Sequence, residues 1–307
     1  MIVISEFMDD TAVEYLHQKA QVDYDSELVD KRETLFQRLA NARTLIVRNR
    51  TQVNRELLEH APHLKVVGRL GVGLDNIDLQ LCEEKGITVY PAYGANAQAV
   101  AEYVIASAFI LLRGAYQSSS RIVAGEWPRT QLSNGLEVSG RTLGLVGFGS
   151  IGQLTASLAK ALGMNIIAYD PLIEADSPVW RESGATPMSL DDVLRHSDVL
   201  SLHTPLTPET RHLINADRIS LMKPQAVLIN SSRGGIVDEP ALVEALKSGK
   251  LRGAALDVFE DEPVKAGNRL PVMPNLLLTP HIAGLTEEAN KRVSDVIAQK
   301  VIGHFAE

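Results

Sequence analysis

Three short segments of this 307-residue chain carry side chains suited to proton transfer and anion binding. Arg233 precedes two glycines, Glu262 ends an acidic run, and His281 follows a proline. A 2-oxo acid that accepts a hydride needs a cation beside its carboxylate and ketone, and an acid that protonates the developing alkoxide. The planar fork of Arg233 suits the first task, and the imidazole of His281 suits the second. Glu262, hydrogen-bonded to the other imidazole nitrogen, would fix the tautomer and favour the protonated ring.

Each of the three residues also has a structural interpretation. An arginine at a strand end can pair with a neighbouring acid, the run Asp257–Glu262 can be a solvated loop, and a lone histidine in a Pro/Gly loop is more often structural. Their placement favours function, because all three follow predicted strands of one domain. Open α/β sheets bind ligands at the carboxyl ends of their strands. We therefore expect the three side chains to converge on one reacting centre.

A glycine fingerprint follows the predicted strand Thr142–Val146 and opens a predicted helix. Such glycines allow a tight turn, a close approach of backbone to a pyrophosphate, and close packing of helix on strand. The helix N-terminus offers its N–H groups to the phosphates. The pattern alone also occurs for packing reasons. Its residues are Gly147, Gly149, Ser150, Ile151 and Gly152.

The next predicted strand, Asn165–Tyr169, ends at Asp170. A carboxylate there accepts hydrogen bonds from the ribose hydroxyls and repels a 2′-phosphate. The other interpretation is an Asp-Pro turn. Together with the preceding glycines, Asp170 predicts an NAD site and favours NAD over NADP.

Short apolar runs alternate with helical segments along the whole chain, which predicts an α/β protein with parallel sheets. The predicted strands are Ile2–Ser5, Thr44–Val47, Leu64–Val67, Ile87–Tyr90, Thr142–Val146, Asn165–Tyr169, Val199–His203, Ala226–Asn230, Gly253–Ala255 and Leu276–Leu278. The predicted helices are Thr11–Ala20, Arg55–His60, Ala97–Arg113, Thr155–Leu162 and Thr286–Phe305.

The fingerprint lies near the middle of the chain, so the preceding block needs a domain of its own. We expect two doubly wound parallel-sheet domains, a Rossmann NAD domain inserted in a flavodoxin-like substrate domain. Residues 1–96 and 285–307 form the discontinuous substrate-binding domain of this prediction. Residues 97–284 form its NAD-binding domain.

Composition excludes several other classes. The net charge of −8 argues against nucleic acid or an anionic membrane as the main partner. The apolar stretch Tyr103–Leu112 is about half as long as a membrane-spanning helix. Cys82 is the only cysteine and the histidines lack paired ligand spacing, so we expect neither disulfide nor metal. The N-terminus has no basic region before its apolar run, and we expect a cytoplasmic protein.

With these motifs in order, the sequence resembles the D-isomer-specific 2-hydroxyacid dehydrogenases, and is most similar in motifs to the 3-phosphoglycerate dehydrogenase branch. The likeness also includes Val47–Thr51, Gly68–Asp78, and Asn96 with Ala101-Glu102. It implies Arg233, Glu262 and His281 as the catalytic set, with His281 as proton donor, and a homodimer formed through the long helix and the loop around Trp127. The dinucleotide contacts that it implies are Ser150, Ile151, Asp170, Thr204, Ser231, Asp257 and Gly284. It also implies that backbone N–H groups of Leu70, Gly71, Val72 and Gly73 bind the substrate carboxylate.

The identity of the substrate depends on three arginines at strand ends of the N-terminal block, Arg48, Arg50 and Arg69. Our hypothesis is that one or two of them bind a second anion on the substrate. A phosphate there would give 3-phosphoglycerate, and a sulfonate would give 3-sulfolactate. If they are surface cations instead, a hydroxypyruvate or glyoxylate reductase is the alternative. A further alternative is an NAD(H)-sensing binding protein or corepressor, which would not need the complete Arg233, Glu262 and His281 set.

Overall fold

The computed structural model describes residues 1–115, 118–267 and 270–306. The chain divides into two compact units, one of Met1–Asn96 with Leu285–Glu307, and one of Ala97–Gly284. Residues 116–117, 268–269 and 307, which the predicted domains include, lie outside the described residues.

The helices and strands alternate in both units. From the N-terminus they are β1 (Ile2–Ile4), α1 (Asp10–His17), β2 (Val22–Tyr24), a 3-10 turn (Leu28–Asp30), α2 (Arg32–Leu39), β3 (Thr44–Val47), α3 (Arg55–Glu59), β4 (Val66–Arg69), α4 (Leu79–Glu84) and β5 (Thr88–Pro91). There follow α5 (Ala97–Arg113), α6 (Ser119–Val123), β6 (Thr142–Val146), α7 (Ser150–Ala161), β7 (Asn165–Tyr169), α8 (Pro178–Ser183), β8 (Thr186–Pro187), α9 (Leu190–His196) and β9 (Val199–Leu202). The last are α10 (Ala216–Leu221), β10 (Ala226–Asn230), α11 (Glu239–Lys247), β11 (Leu251–Leu256), β12 (Leu276–Leu278) and α12 (Glu287–His304).

The first unit is a five-stranded parallel sheet in the order β2-β1-β3-β4-β5, the flavodoxin-like order. Successive side chains of a strand point to opposite faces, and both faces are buried here. Val3, Leu45 and Val67 pack with apolar residues of α2, α3 and α4. Ile4 and Ile46 pack on the other face with α1 and α12. The C-terminal helix therefore belongs to the core of the N-terminal sheet.

The second unit is a seven-stranded parallel sheet in the order β12-β11-β10-β9-β6-β7-β8. The strand order reverses where β6 lies beside β9, so the residues after these two strands meet at a switch point. The apolar stretch inside α5 packs through Val104, Ala108 and Leu111 against this sheet and α7. Among the described residues, no helix combines the length and the apolarity that crossing a bilayer requires.

The two parallel α/β sheets confirm the predicted fold class. The prediction of four strands in the first sheet was wrong, because Val22–Tyr24 pairs with β1 as a fifth. This edge strand has only three residues and an aspartate at its centre, so it has no apolar run. The strand predicted at Leu64–Val67 begins at Val66 instead, because the Lys65 and Val66 N–H groups both donate to Arg43 O where the β3–β4 ladder starts.

Candidate active site

The three fingerprint glycines have different surroundings. Gly147 has a φ of +94°, and a Cβ there would lie 2.5 Å from the carbonyl oxygen of His203. A Cβ on Gly152 would lie 2.5 Å from the carbonyl oxygen of Gly147. A Cβ on Gly149 would meet no atom within 4 Å. Two glycines are therefore required by packing, whereas Gly149 borders open space.

Helix α7 begins in front of that space. Its N-cap is Gly149, which has no side chain to cap the helix. The first N–H groups of a helix have no acceptor within it, so those of Ser150 and Ile151 are available to an anion.

The carboxylate of Asp170 is hydrogen-bonded to the glycine loop, the turn of residues 147–149 between β6 and α7. Its Oδ2 accepts a hydrogen bond from the Phe148 N–H at 2.7 Å, and its Oδ1 accepts one from the Leu172 N–H at 2.9 Å. A carboxylate oxygen accepts more than one hydrogen bond, so both oxygens keep capacity for ribose hydroxyls.

Two buried hydroxyls lie at the same sheet edge. Among the described residues, Thr204 Oγ1, just after β9, and Ser231 Oγ, just after β10, have no hydrogen-bond partner. A buried polar group without a partner is costly, and such groups often await a ligand. The Thr204 side chain also lies beside Gly147. The open glycine loop, the free helix terminus, Asp170 and these hydroxyls together fit a dinucleotide.

Glu262 and His281 are in contact. The Nδ1 of His281 lies 2.7 Å from Oε2 of Glu262, and the other oxygen accepts the Phe259 N–H at 3.0 Å. Partial burial raises the pKa of Glu262, but these two hydrogen bonds and the charges of His281 and Arg233 outweigh it and lower the pKa overall. Since a carboxylate only accepts, the imidazole donates from Nδ1. Its Nε2 is then the nitrogen that can serve a substrate.

Asp257 holds the loop that carries His281. It is 1% exposed, and it accepts hydrogen bonds from the Thr279 hydroxyl at 2.6 Å and from the Ile282 and Ala283 N–H groups at 2.8 Å each. Its own carbonyl oxygen accepts the His281 N–H at 2.8 Å. The interpretation of the acidic run as a solvated loop is therefore wrong for Asp257. Gly284, the last residue of this unit, follows Ala283 directly.

Arg233 lies in a loop that packs on the Glu262 loop. A Cβ on Gly234 would overlap the carbonyl oxygen of Phe259, at 1.7 Å. Asn230 Nδ2 donates to the Arg233 carbonyl oxygen at 2.9 Å, and Arg233 Nη1 donates to the Ser232 carbonyl oxygen at 2.6 Å. The charge of Arg233 lowers the pKa of Glu262. The structure thus brings all three predicted catalytic residues to adjoining loops of one unit.

In the first unit, a buried acid organises the arginine loop (residues 48–51), which follows β3. Glu6, 4% exposed, accepts the N–H groups of Arg48, Arg50 and Thr51 at 2.8, 3.1 and 3.0 Å. Glu6 follows β1 and Arg48 follows β3, so this contact lies at the switch point of the five-stranded sheet.

The side chains of the predicted substrate arginines differ in their partners. Arg50 forms an ion pair with Asp30, and its side chain is 56% exposed. Arg48 is partly buried, donates to Asn290 Oδ1 at 2.5 Å and lies over the Phe7 ring. Burial lowers the pKa of Arg48, with Glu6 opposing the shift. Arg69 Nη1 donates to the carbonyl oxygen of Leu70 at 2.8 Å.

Two N–H groups of the Leu70–Gly73 loop, which the resemblance presents to the substrate carboxylate, already have backbone acceptors. The Leu70 N–H donates to Val47 O at 2.8 Å because the β3–β4 ladder continues one residue further. The Gly71 N–H turns back to Arg69 O at 2.7 Å. Within the described ranges, the N–H groups of Val72 and Gly73 have no backbone acceptor.

Sequence reasoning gave no role to Glu6, Thr279 or Tyr103. The Thr279 hydroxyl donates to Asp257 and lies 2.7 Å from the Tyr103 hydroxyl, which must then donate to it. A hydroxyl on the apolar helix α5 was the available signal for Tyr103. For Glu6 it was an acid directly after an apolar strand.

Comparison with known proteins places this arrangement in a family. The model of the D-isomer specific 2-hydroxyacid dehydrogenase NAD binding domain matches residues 105–283. The chain is 50% identical over 300 residues to the (S)-sulfolactate dehydrogenase of Chromohalobacter salexigens, covering 98% of this chain and 96% of that protein.

Two further proteins extend the likeness. The D-3-phosphoglycerate dehydrogenase of Methanocaldococcus jannaschii is 40% identical over 301 residues, which are 98% of this chain but 56% of that longer protein. The crystal structure of the D-lactate dehydrogenase of Aquifex aeolicus, complexed with NAD and lactic acid, matches with a TM-score of 0.83 and 30% identity, covering 100% of this chain and 95% of that one. The chain therefore belongs to the D-isomer-specific 2-hydroxyacid dehydrogenase family and is an NAD-dependent oxidoreductase.

Proposed function

We propose that Arg233, Glu262 and His281 catalyse reversible hydride transfer at C2 of a small 2-oxo or 2-hydroxy acid. The observation that carries this proposal is the 2.7 Å contact between Glu262 and His281, beside the loop of Arg233. Bound NADH supplies the hydride. Arg233 orients the substrate carboxylate by paired hydrogen bonds and polarises the ketone. His281 gives a proton from Nε2 to the oxygen that becomes the hydroxyl, and Glu262 stabilises the imidazolium before transfer.

For the cofactor, we propose that the α7 N-terminus binds the pyrophosphate through Ser150 and Ile151. Asp170 accepts the ribose hydroxyls and disfavours NADP. Thr204, Ser231 and Gly284 line the rest of the dinucleotide. Three hydrogen bonds already occupy the carboxylate of Asp257, so its direct contact with the dinucleotide is limited to the remaining acceptor capacity.

Substitutions at Gly149 and Gly147 test cofactor binding and folding separately. Gly149→Val places a side chain in open space, so the midpoint of thermal unfolding should change little while the Kd for NADH rises at least about tenfold. Gly147→Ala meets a carbonyl oxygen and requires a positive φ, so its unfolding midpoint should fall. Thermal unfolding and NADH fluorescence titration measure both effects. Unchanged NADH affinity in Gly149→Val would contradict the proposed pyrophosphate site.

For the substrate, we propose a second anion on C3 that Arg48 binds. Arg50 already pairs with Asp30, whereas the Arg48 side chain contacts an amide oxygen and an aromatic ring. Arg48 also stands at the switch point of its sheet, where α/β folds bind ligands. The relative that is 50% identical is an (S)-sulfolactate dehydrogenase, and this favours a sulfonate over a phosphate.

The stereochemistry of sulfolactate is compatible with a D-specific family. The sulfur-bearing carbon outranks the carboxyl group in naming priority. The arrangement called R in D-glycerate is therefore called S in sulfolactate. A D-type site reduces 3-sulfopyruvate to (S)-sulfolactate without any change of geometry.

Rates of NADH oxidation with 3-sulfopyruvate, 3-phosphohydroxypyruvate and hydroxypyruvate test this proposal. We expect kcat/KM to be at least about tenfold higher for 3-sulfopyruvate than for uncharged hydroxypyruvate. Arg48→Gln should lower kcat/KM about 100-fold for the charged substrates only, because a charge-assisted bond is lost. Arg50→Gln is the matched control and should retain the preference.

Three outcomes would contradict parts of the proposal. Equal kcat/KM for charged and uncharged substrates would remove the anion pocket and favour a hydroxypyruvate or glyoxylate reductase. Loss of the preference in Arg50→Gln but not in Arg48→Gln would show that Arg50, and not Arg48, binds the anion. NADH binding without turnover of any 2-oxo acid would favour an NAD(H) sensor.

We further propose a cytoplasmic homodimer. Val123 of α6 and Trp127, just after it, are 89% and 78% exposed. Large apolar side chains at such exposure commonly mark an interface. Light scattering should give twice the chain mass of 33.4 kDa, and Trp127→Glu should lower it to one chain. A single-chain mass for the unaltered protein would refute the dimer.

A further inference from the structure

A second histidine–glutamate pair lies on the loop that carries Glu262. The Nε2 of His212 lies 2.8 Å from Oε1 of Glu260, and the two side chains are partly open to solvent. Glu260 is two residues before Glu262. The same loop therefore contacts two histidines, His281 through Glu262 and His212 through Glu260.

The backbone of His212 contacts the other catalytic loop. Its N–H donates to the carbonyl oxygen of Gly235 at 2.7 Å, two residues after Arg233. The following residue pairs continue this contact, since Ile214 and Val237 form a parallel bridge. His212 is thus hydrogen-bonded to both the Arg233 loop and the Glu262 loop.

The conformation of His212 is unfavourable for a side-chain-bearing residue. Its φ is +48°, and among the described residues only Gln225 and His281 share a positive φ without being glycine. Such a conformation persists when surrounding contacts hold it, and it is often found at functional sites. Here the contacts are the two hydrogen bonds to Gly235 and Glu260.

The Glu262 loop has a further anchor next to Glu260. The Glu260 N–H donates to Oε1 of Glu239, the first residue of α11, at 2.9 Å. Glu260 is therefore held by side chains from two other segments, His212 and Glu239. Together with the tight contact of Gly234 and Phe259, these bonds join the two catalytic loops.

We propose that His212 is a positioning residue for the reaction, and that its bonds to Gly235 and Glu260 hold Arg233 and Glu262 at the spacing that catalysis needs. The inference rests on the proposed roles of Arg233, Glu262 and His281. A displacement of a catalytic group by about 1 Å lowers a rate strongly, so a contact that makes no bond to substrate still affects kcat. If the pair were an ordinary exposed ion pair, its loss would change little.

The first experiment compares His212→Gly with Gln225→Gly. Both changes relieve the strain of a positive φ in the same unit, but the hydrogen bonds of Gln225 lead elsewhere: its side chain donates to Gly249 O and its N–H to Lys250 O. We expect kcat for the best 2-oxo acid to fall about tenfold in His212→Gly and to stay unchanged in Gln225→Gly. The Kd for NADH should not rise and the unfolding midpoint should not fall in either variant.

Two variants of Glu260 test the hydrogen-bond partner of His212. Glu260→Ala should lower kcat as His212→Gly does, whereas Glu260→Gln keeps an acceptor oxygen and should restore most of the activity. A role in stability alone would move the unfolding midpoint of these variants and leave kcat intact.

A double variant tests whether the effect of His212 on kcat acts through Glu262. In a Glu262→Gln background, His212→Gly should cause a smaller loss of kcat than in the unaltered protein, because one of the two groups that it positions has already lost its charge. Additive losses, or an unchanged kcat in His212→Gly, would overturn the proposal. The variant His281→Ala separates this failure from that of the proposed function. If His281→Ala retains activity, the catalytic assignment itself is wrong, and if it is inactive, the failure concerns His212 alone.

Discussion

The geometry of the candidate active site depends on the buried carboxylate of Asp257. Its side chain accepts hydrogen bonds from the loop after β12, and its N–H donates to the Asn230 carbonyl oxygen at the end of β10. Three neighbouring strand ends are joined through this one residue. Burying a charge without such partners would be strongly unfavourable, so the loop and the carboxylate stabilise each other. As a result His281 is held at a φ of +53° with its ring against Glu262.

The same principle recurs in the other unit and in the cofactor region. Glu6 accepts three backbone N–H groups and orders the arginine loop after β3, and Asp170 accepts two and orders the glycine loop after β6. In each case an acid after a strand satisfies the polar backbone of an adjoining loop, as buried polar groups require. Among the described residues, the hydroxyls of Thr204 and Ser231 are buried without a partner, and these two groups lie where they fit a ligand.

Periodic and short-range features were predictable from the sequence. The glycine turn after β6 and the strand before Asp170 have local signatures, and the strands and α/β alternation follow from apolar runs. The edge strand β2 was not predictable, because three residues with a central aspartate show no hydrophobic periodicity. Glu6 acts on a loop more than 40 positions later in the sequence, and Asp257 acts on one about 25 positions later. Only the fold brings these acids and loops together, so their roles were not predictable. The backbone acceptors of the Leu70 and Gly71 N–H groups were not predictable either, because one sequence shows neither the ladder bond to Val47 nor the turn back to Arg69.

Asp257→Asn tests whether Asp257 supports catalysis by holding the His281 loop. The amide keeps the size of the side chain, but its Nδ2 cannot accept a backbone N–H. Steady-state reduction of the best 2-oxo acid should show kcat lower by about 100-fold, with the Kd for NADH within about twofold of the unaltered protein. An unchanged kcat would contradict this role of Asp257, and so would a loss explained entirely by weaker NADH binding.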